Sequence, residues 1–434
     1  MQQDCPEDAA GPDRGWLDDL PRHWSVERVS NRARMSIGWT PPTSDDSNFD
    51  GENLWANISD LGERYVGDTA KRVSDEAVRV ARAHPAPAGS LLFSFKLSVG
   101  AVSFPTVPMY TNEAIAAFTP RRELDMRYAY YAFPIYILRN AGENIYGAPI
   151  LNQTRLAQAK VAFPPLDEQR AIADYLDRET AQIDAFIAKN EELITLLTER
   201  RAAAISRTVT GRRSGEADDQ DPDWMQGLPS EWKLMPVKLL AKRVTDGAHI
   251  SPETEGGEYD FVSTRDVSAG SIDFEGSLKT SPQTYSYMVR TGCQPRVGDV
   301  LYSKDGTIGE TAVVRESRDF VVASSLIIIT PDPSLVVSDY LRYALSSVPL
   351  LEQAKTLVRG AGLPRLSIAN LATVRVPLPP LEVQRELVGW LDQVTRSIDS
   401  AIGVALRSVE LVRERRAALI SAAVTGKIDV GVAV

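Results

Sequence analysis

The chain has 434 residues, of which 43% are hydrophobic, enough for two or three packed domains. Two cysteines and three scattered histidines exclude a disulfide scaffold and a metal site built from cysteine and histidine. The net charge of −10 arises mainly from two acidic segments, residues 1–30 and 214–227, so the rest of the chain is close to neutral and a basic DNA-binding face is not excluded.

A tryptophan motif occurs twice along the chain. The first copy, D-R-G-W-L-D-D-L-P-R-H-W, spans residues 13–24, and the second, D-P-D-W-M-Q-G-L-P-S-E-W, spans 221–232. The regular recurrence of the tryptophans favours core packing over base stacking and marks the entrance of a repeated domain. The matching tryptophans are Trp16 with Trp224 and Trp24 with Trp232.

Each entrance motif is followed by a stretch of mixed strand and turn character. The segment G-S-L-L-F-S-F-K from Gly89 aligns with G-D-V-L-Y-S-K-D from Gly298, and both predict short strands bounded by turns. Short helices are predicted near Tyr128 and Tyr340. Both stretches therefore predict a mixed α/β domain.

Each domain is followed by a long amphipathic helix. The first helix is predicted over residues 164–211 and the second over 379–426, each about 45 residues or roughly 67 Å long. Apolar residues recur along one face of each helix at the spacing of a coiled-coil seam, and the two seams match position by position. The seam residues are Ile172, Leu176, Ile183, Ile187, Ile194, Leu197, Ile205 and Val209 in the first helix, and Leu387, Leu391, Ile398, Ile402, Val409, Val412, Ile420 and Val424 in the second.

The linker sets the expected direction of the helices. Its 12 residues reach about 43 Å at most, too short to return the chain along a parallel helix, so the helices are predicted to be antiparallel. The predicted fold class is α+β: two mixed α/β domains separated by two long antiparallel coiled-coil helices, with an internal pseudo-twofold repeat. The predicted ranges are an acidic arm (1–12), domain 1 (13–163), helix 1 (164–211), a linker (212–223), domain 2 (224–378), helix 2 (379–426) and a C-terminal tail (427–434).

No catalytic constellation is apparent in the sequence. An adenosylmethionine-binding glycine loop, an N-P-P-Y-like tetrapeptide and a nucleotide-binding G-x-x-x-x-G-K-[ST] motif are all missing. A nuclease-like set around Asp223, Glu231 and Lys233 has no equivalent acid or lysine in the first copy. We therefore predict no catalytic residue, no metal ligand and no cofactor in this chain.

The sequences at the ends of the two long helices resemble those of a known family. P-P-L-D-E-Q-R opens the first helix, R-R-A-A-A-I-S-R-T-V-T-G closes it, and both recur in the second helix as P-P-L-E-V-Q-R and R-R-A-A-L-I-S-A-A-V-T-G. With the L-P-x-x-W domain entrances, the chain resembles the specificity (S) subunit of type I restriction-modification enzymes over nearly its whole length. The second copy departs from the pattern at Val383, where the first has Glu168.

The resemblance implies a partner set and a division of labour. It implies two target recognition domains, each reading one half of a split, asymmetric double-stranded DNA target, and helices whose length sets the spacing between the halves. Two modification subunits that use S-adenosylmethionine would methylate adenine, and restriction subunits that use ATP and Mg²⁺ would translocate and cleave DNA. A cytoplasmic, nucleoid-associated protein without a membrane segment is the matching expectation.

DNA contacts require cations for phosphates and Arg, Asn or Gln for base edges. The best single candidate is the glycine turn from Arg359 to Arg365, because two arginines flank glycines that allow close approach of the backbone. The candidates are Arg64, Lys71, Arg72, Lys96, Arg121, Arg122, Asn152 and Gln153 in the first domain, and Lys242, Arg243, Arg290, Lys304, Arg359, Gly360, Gly362 and Arg365 in the second.

One alternative of a different class stays open on the sequence alone. A structural adaptor, with two protein-binding domains spaced by a coiled coil, would also fit the repeat and the net acidity. Salt separates the two hypotheses, since phosphate binding weakens steeply with ionic strength and protein docking much less.

Overall fold

A computed structural model describes residues 19–143, 149–212, 225, 227–247, 250, 252–253, 257–358 and 365–430. The chain divides into two compact units: the first comprises Met1–Lys189 and Ser408–Val434, and the second comprises Asn190–Arg407. Several predicted features lie outside the described residues: the arm 1–12, most of the linker, Trp16, Trp224, Arg359, Gly360 and Gly362.

The first half of the chain contains short strands followed by one long helix. The strands are β1 (Ser25–Arg28), β2 (Ala33–Ile37), β3 (Asn53–Ala56), β4 (Tyr65–Val66), β5 (Lys71–Val73), β6 (Leu91–Ser94), β7 (Val102–Pro105), β8 (Tyr110–Thr111), β9 (Ile115–Pro120), β10 (Gly142–Glu143), β11 (Pro149–Ile150) and β12 (Lys160–Phe163). The helices are α1 (Val29–Arg32), α2 (Asp75–Ala81), α3 (Met126–Arg139), α4 (Gln153–Gln158) and α5 (Leu166–Val209).

The second half also contains short strands followed by one long helix. The strands are β13 (Lys233–Pro236), β14 (Ala241–Asp246), β15 (Tyr259–Val262), β16 (Val267–Ser268), β17 (Ser271–Ile272), β18 (Leu278–Thr280), β19 (Val300–Ser303), β20 (Thr311–Val313), β21 (Phe320–Val322), β22 (Leu326–Pro331) and β23 (Arg375–Leu378). The helices are α6 (Val237–Leu240), α7 (Pro282–Arg290), α8 (Ser338–Ser346), α9 (Val348–Thr356), α10 (Ile368–Leu371) and α11 (Leu381–Val424).

Each unit contains one larger sheet, of five strands in the first unit and four in the second, and one three-stranded sheet. In the first unit, a sheet of order β2-β9-β6-β7-β4 lies beside a three-stranded sheet of order β5-β3-β8. In the second unit, the corresponding orders are β14-β22-β19-β20 and β18-β15-β21. Each three-stranded sheet pairs one neighbour antiparallel and the other parallel. The two halves are therefore an internal repeat in structure as well as in sequence, which confirms the predicted mixed α/β domains.

In the first unit, the segments of α5 and α11 run antiparallel. Arg416 Nε on α11 donates to Asp184 Oδ1 on α5 at 3.0 Å. Leu176, earlier on α5, shares a hydrophobic cluster with Val424, later on α11. Because contacts move forward on one helix as they move backward on the other, the two segments have opposite directions.

In the second unit, the same arrangement recurs with the copies exchanged. Arg201 Nε on α5 donates to Asp399 Oδ1 on α11 at 2.8 Å. Val209, later on α5, shares a cluster with Leu391, earlier on α11. These segments confirm the predicted antiparallel helices. All the predicted seam residues along both helices are buried or half-buried.

A buried glutamine fastens each domain to the start of its long helix. The Gln169 amide donates to the carbonyls of Pro164 (2.9 Å) and Glu123 (3.1 Å), and its oxygen accepts from the Asp125 N–H (3.0 Å). Gln384 makes the equivalent three bonds, to Pro379 O (2.8 Å), Leu335 O (3.0 Å) and Val337 N (2.8 Å). Both glutamine side chains are fully buried, and in each unit the glutamine of P-P-L-x-x-Q-R satisfies three backbone groups, of which the proline carbonyl bond is buried and the other two are partly buried.

The entrance motif of each domain packs against the V-T-G end of a long helix. In the first unit that end belongs to α11: a Cβ on Gly426 would lie 2.4 Å from Pro21 Cγ and 3.3 Å from Trp24. In the second unit it belongs to α5, where a Cβ on Gly211 would lie 2.6 Å from Pro229. Both glycines have a φ of +68°, which strains other residues, so both contact and backbone conformation require glycine.

The departure at Val383 is accompanied by a second difference between the copies. In the first unit, Glu168 accepts from the Trp24 indole N–H at 3.0 Å and pairs with His23 Nε2 at 2.8 Å. In the second copy, Glu231 aligns with His23 and Val383 aligns with Glu168. Both residues of the first copy's helix-start contact therefore differ in the second copy.

Candidate nucleic-acid interface

Four turns converge at one end of the large sheet in the first unit. They belong to residues 38–40, 56–60, 95–98 and 112–114. The Gly38 N–H donates to Ile115 O, Asn112 N–H to Ala56 O, and Phe95 N–H to Ala114 O, at 2.9 to 3.2 Å. We call this the first turn edge.

The second unit has the same convergence, which we call the second turn edge. It comprises residues 246–247, 262–266, 304–308 and 323–325. The Gly247 N–H donates to Leu326 O, Ala323 N–H to Val262 O, and Lys304 N–H to Ser325 O, at 2.8 to 3.2 Å. These three bonds match those of the first turn edge, so the backbone framework is the same in both units.

Each turn edge lies at the far end of its sheet from the start of the long helix. In the first unit, β2 pairs Ile37 with Ala116 near the turn edge and Ala33 with Pro120 at the other end. Just beyond Pro120, Glu123 O binds the helix residue Gln169. The large sheet therefore separates the turns from the start of α5, and Ser59, Lys96 and Glu113 on these turns are exposed.

The side chains on the two turn edges differ although the backbones match. On the first, Thr40 donates to Glu113, whose carboxylate also lies 3.8 Å from Lys96 Nζ. The hydrogen bond from Thr40, followed by smaller contributions that include Lys96, lowers the pKa of Glu113. Leu97 beside them is 71% exposed.

On the second turn edge, the charged groups are paired in another way. Lys304 Nζ is buried and paired with Asp246. Arg365 lies 3.6 Å from Asp305 and donates to Ser324 O at 3.5 Å. The same backbone framework thus carries two different sets of hydrogen-bonding groups.

Arg64, a predicted DNA contact, lies instead at the joint between its domain and α5. Its NH2 group lies 2.7 Å from Asp177 of α5, and its guanidinium stacks 5.1 Å from the Tyr130 ring centroid. Burial alone would lower the pKa of Arg64, but Asp177 and the neighbouring tyrosines raise it above its usual value. The Tyr131 hydroxyl donates to Asp177 (2.7 Å) and contacts Thr180 (3.1 Å).

An equivalent joint occurs in the second unit with the arginine on another element. The Tyr343 hydroxyl donates to Asp392 at 2.7 Å and contacts Thr395 at 3.1 Å, both on α11. Here Arg342 of α8 stacks on Tyr343 with its guanidinium carbon 3.7 Å from the ring centroid. The arginine, tyrosine and aspartate hold each domain against its helix.

The other predicted contacts are dispersed over the two units. Arg121 and Arg122 follow β9 at the end remote from the first turn edge, and Lys242 and Arg243 begin β14 at the equivalent end of the second unit. The remaining residues are Lys71 and Arg72 on β5, Asn152 capping α4 through the Arg155 N–H (2.8 Å), Gln153 at its first turn, and Arg290 closing α7.

The structure therefore brings Lys96 to one turn edge, and Lys304 and Arg365 to the other. DNA contact by any of these residues stays a prediction. Sequence reasoning missed Arg265, which lies on the second turn edge. The signal that could have found it is a pair of matching turns, N-I-S-D at 57–60 and S-T-R-D at 263–266, each with a capping residue and an aspartate three positions later.

The described residues contain no group of three or more His, Cys, Asp or Glu that could hold a metal ion. Within the same part of the chain, no helix combines the length and apolar character needed to cross a bilayer.

Comparison with known proteins identifies the family. The family model for the type I restriction modification DNA specificity domain matches residues 30–195 and 229–403, one match in each half of the chain. The EcoBI specificity subunit of Escherichia coli is 25% identical over 308 residues, covering 68% of this chain and 64% of that protein. The MjaIX specificity subunit of Methanocaldococcus jannaschii is 22% identical, covering 83% of this chain and 84% of that protein.

A solved structure supports the fold. It comes from work on the structural basis of complex assembly and conformational transition of the type I R-M system, with a TM-score of 0.63 and 16% identity. The similarity covers 94% of this chain and 99% of that one. The repeated family match, the related specificity subunits and this shared fold lead to one conclusion: the chain belongs to the family of type I restriction-modification DNA specificity domains.

Proposed function

We propose that this chain is the DNA sequence-recognition subunit of a type I restriction-modification complex. It reads a bipartite, asymmetric DNA target, one half with each unit, and directs adenine methylation and restriction by partner subunits. The observation that carries the proposal is that two turn edges share one backbone framework and differ in side chains. A shared framework suits one mode of docking on DNA, and different side chains suit different base sequences.

In this function the chain performs no chemistry. Two modification subunits supply S-adenosylmethionine and transfer its methyl group, while restriction subunits use ATP and Mg²⁺. The chain acts in the cytoplasm on the chromosome and on incoming DNA. Its relatives are named specificity subunits, which is consistent with a recognition role. The adaptor alternative is not favoured, because the matching family model describes a DNA specificity domain in both halves.

The test is base-modification sequencing of the source genome with and without the gene for this chain. We expect a split motif with methylated adenines to disappear when the chain is removed and to return when it is supplied again. An unchanged set of methylated motifs, in cells that demonstrably express the modification subunits, would contradict the proposal.

Salt dependence provides a second measurement on purified protein. For the complex with its modification subunits, affinity for the target duplex should fall steeply with salt, with a slope of about −0.9 per phosphate contacted on a logarithmic plot. A partner-binding adaptor would show little such dependence, and its retention of partner proteins would not respond to DNA.

A further inference from the structure

The second turn edge contains a tight turn that is fixed from within. Residues Thr264–Asp266 form one 3₁₀ turn, and Ser263 before it donates its N–H (2.7 Å) and its hydroxyl (2.9 Å) to the Asp266 carboxylate. Asp266 is buried, with 7% exposure, and its own N–H returns to Ser263 O. The Thr264 N–H donates to the Ser325 hydroxyl at 3.3 Å, which ties the turn to its neighbour. The backbone of this turn is therefore rigid.

Arg265 stands in the middle of this rigid turn, and its guanidinium group has no partner among the described residues. Its side chain is exposed, and it forms no hydrogen bond or ion pair with any residue that the structure describes. Arg365 on the same turn edge differs, because it pairs with Asp305. An unpaired arginine on a fixed backbone can form new hydrogen bonds without first breaking old ones and with little loss of backbone freedom.

The first unit has the same turn without the arginine. Residues Ile58–Asp60 form a 3₁₀ turn in which the Asn57 N–H donates to the Asp60 carboxylate at 2.8 Å. Ser59 occupies the position of Arg265, and its hydroxyl donates inward to Asn57 Oδ1 at 2.6 Å. One framework therefore presents a long planar donor in the second unit and a short, internally bonded hydroxyl in the first.

We propose that Arg265 is a specificity-determining residue that reads a guanine in the half-site bound by the second unit. A guanidinium group can donate two parallel N–H bonds to O6 and N7 of guanine, and no other base offers this acceptor pair in the major groove. The Ser59 hydroxyl cannot form this pair of parallel bonds, so the matching turn of the first unit offers no equivalent guanine contact. The inference rests on the proposed function, since it assigns a base to one of the two half-sites.

The experiment uses the complete chain assembled with its modification subunits. Methylation of a library randomised across the target gives the base preference at every position for wild type, Arg265→Ala and the control Arg296→Ala. Arg296 is an exposed arginine of the same unit, and it precedes β19 at the end of the sheet remote from the second turn edge. We expect Arg265→Ala to lose about 5- to 150-fold of discrimination for guanine at one position of one half-site. The other half-site should keep its preferences, and Arg296→Ala should change none.

A base analogue then tests the contact itself. In the target duplex, 7-deazaguanine at that position removes the N7 acceptor and keeps the base pair. Wild-type complex should bind this duplex more weakly than the guanine duplex, while Arg265→Ala should bind both equally.

The inference is overturned if Arg265→Ala keeps the wild-type motif, or if it weakens binding to all sequences alike, as loss of a phosphate contact would. A wild-type complex that methylates no split target would instead refute the proposed function. Because Arg265 has no partner among the described residues, unfolding of the variant should match wild type, and this check excludes loss of fold as the cause.

Discussion

Replacement of Gln384 by methionine should destabilise the second unit while leaving its surface unchanged. Methionine has nearly the same length and fills the same buried space, but it can neither donate nor accept as an amide does. The change removes the bonds to Pro379 O, Leu335 O and Val337 N, of which the first is buried and the other two are partly buried. At about 1 kcal/mol for each bond, the expected loss is roughly 3 kcal/mol of unfolding free energy.

The matched control is Gln393→Met on the same helix. Gln393 is exposed, so its replacement should change stability by less than about 0.5 kcal/mol. Urea denaturation of the complete chain, followed by a probe in the second unit, measures both variants. Amide hydrogen exchange adds a local readout, because the Val337 N–H should lose its protection in Gln384→Met alone.

Equal stability of Gln384→Met and Gln393→Met would refute the reasoning. It would mean that the polar groups around Gln384 reach water or other partners, and that the motif glutamine does not fasten the domain to the helix.

Three further predictions concern other contacts. Gly426→Ala should cost about 2 kcal/mol or more, because alanine is strained at a φ of +68° and its Cβ would clash with Pro21. Gly389→Ala, at an open site within α11, should instead stabilise by about 0.5–1 kcal/mol. Thermal unfolding compares the two variants, and equal effects would contradict the packing. Burial, with Asp177 as a further cause, raises the pKa of Tyr131 from 10.0 to about 12. The contribution of neutral Tyr131 to stability is therefore complete below pH 10 and is lost between about pH 10 and 12. The difference in unfolding free energy between wild type and Tyr131→Phe should shrink over this range, and a constant difference would count against the prediction. Arg201→Ala should lower the unfolding free energy by less than about 1 kcal/mol, because the ion pair of Arg201 with Asp399 is partly exposed to solvent. A loss above about 2 kcal/mol, measured by urea denaturation, would show that the pair is shielded from water.

The long helices could be predicted from sequence because their signal is local. Apolar residues repeat every three or four positions on one face, and this spacing alone determines which face must be covered. The strands around Leu91 and Val300 could be predicted for the same reason, since each is a short apolar run bounded by turn residues.

The cation candidates show where sequence reasoning reached its limit. Arg64, Lys304 and Arg365 all looked available, but the fold brings an aspartate to each of them from far along the chain. Whether a charged side chain has an ion-pair partner depends on which segments the fold brings next to it. The local sequence around the residue does not contain that information. Arg265 is the opposite case, because sequence reasoning did not select it. Its position stands out only when its turn is compared with the matching turn of the first unit, where Ser59 takes its place.

The duplication, the long helices and their seams could be identified from the sequence by itself, because each depends on a periodic pattern or on a repeated sequence motif. Only the tertiary structure decided which copy's helix end packs on which entrance motif: Gly426, just after α11, packs on Pro21, and Gly211, just after α5, packs on Pro229. It also decided which turns form each turn edge. The physical reason is that both depend on contacts between segments distant in the chain, which are selected by packing the whole unit rather than by any local preference.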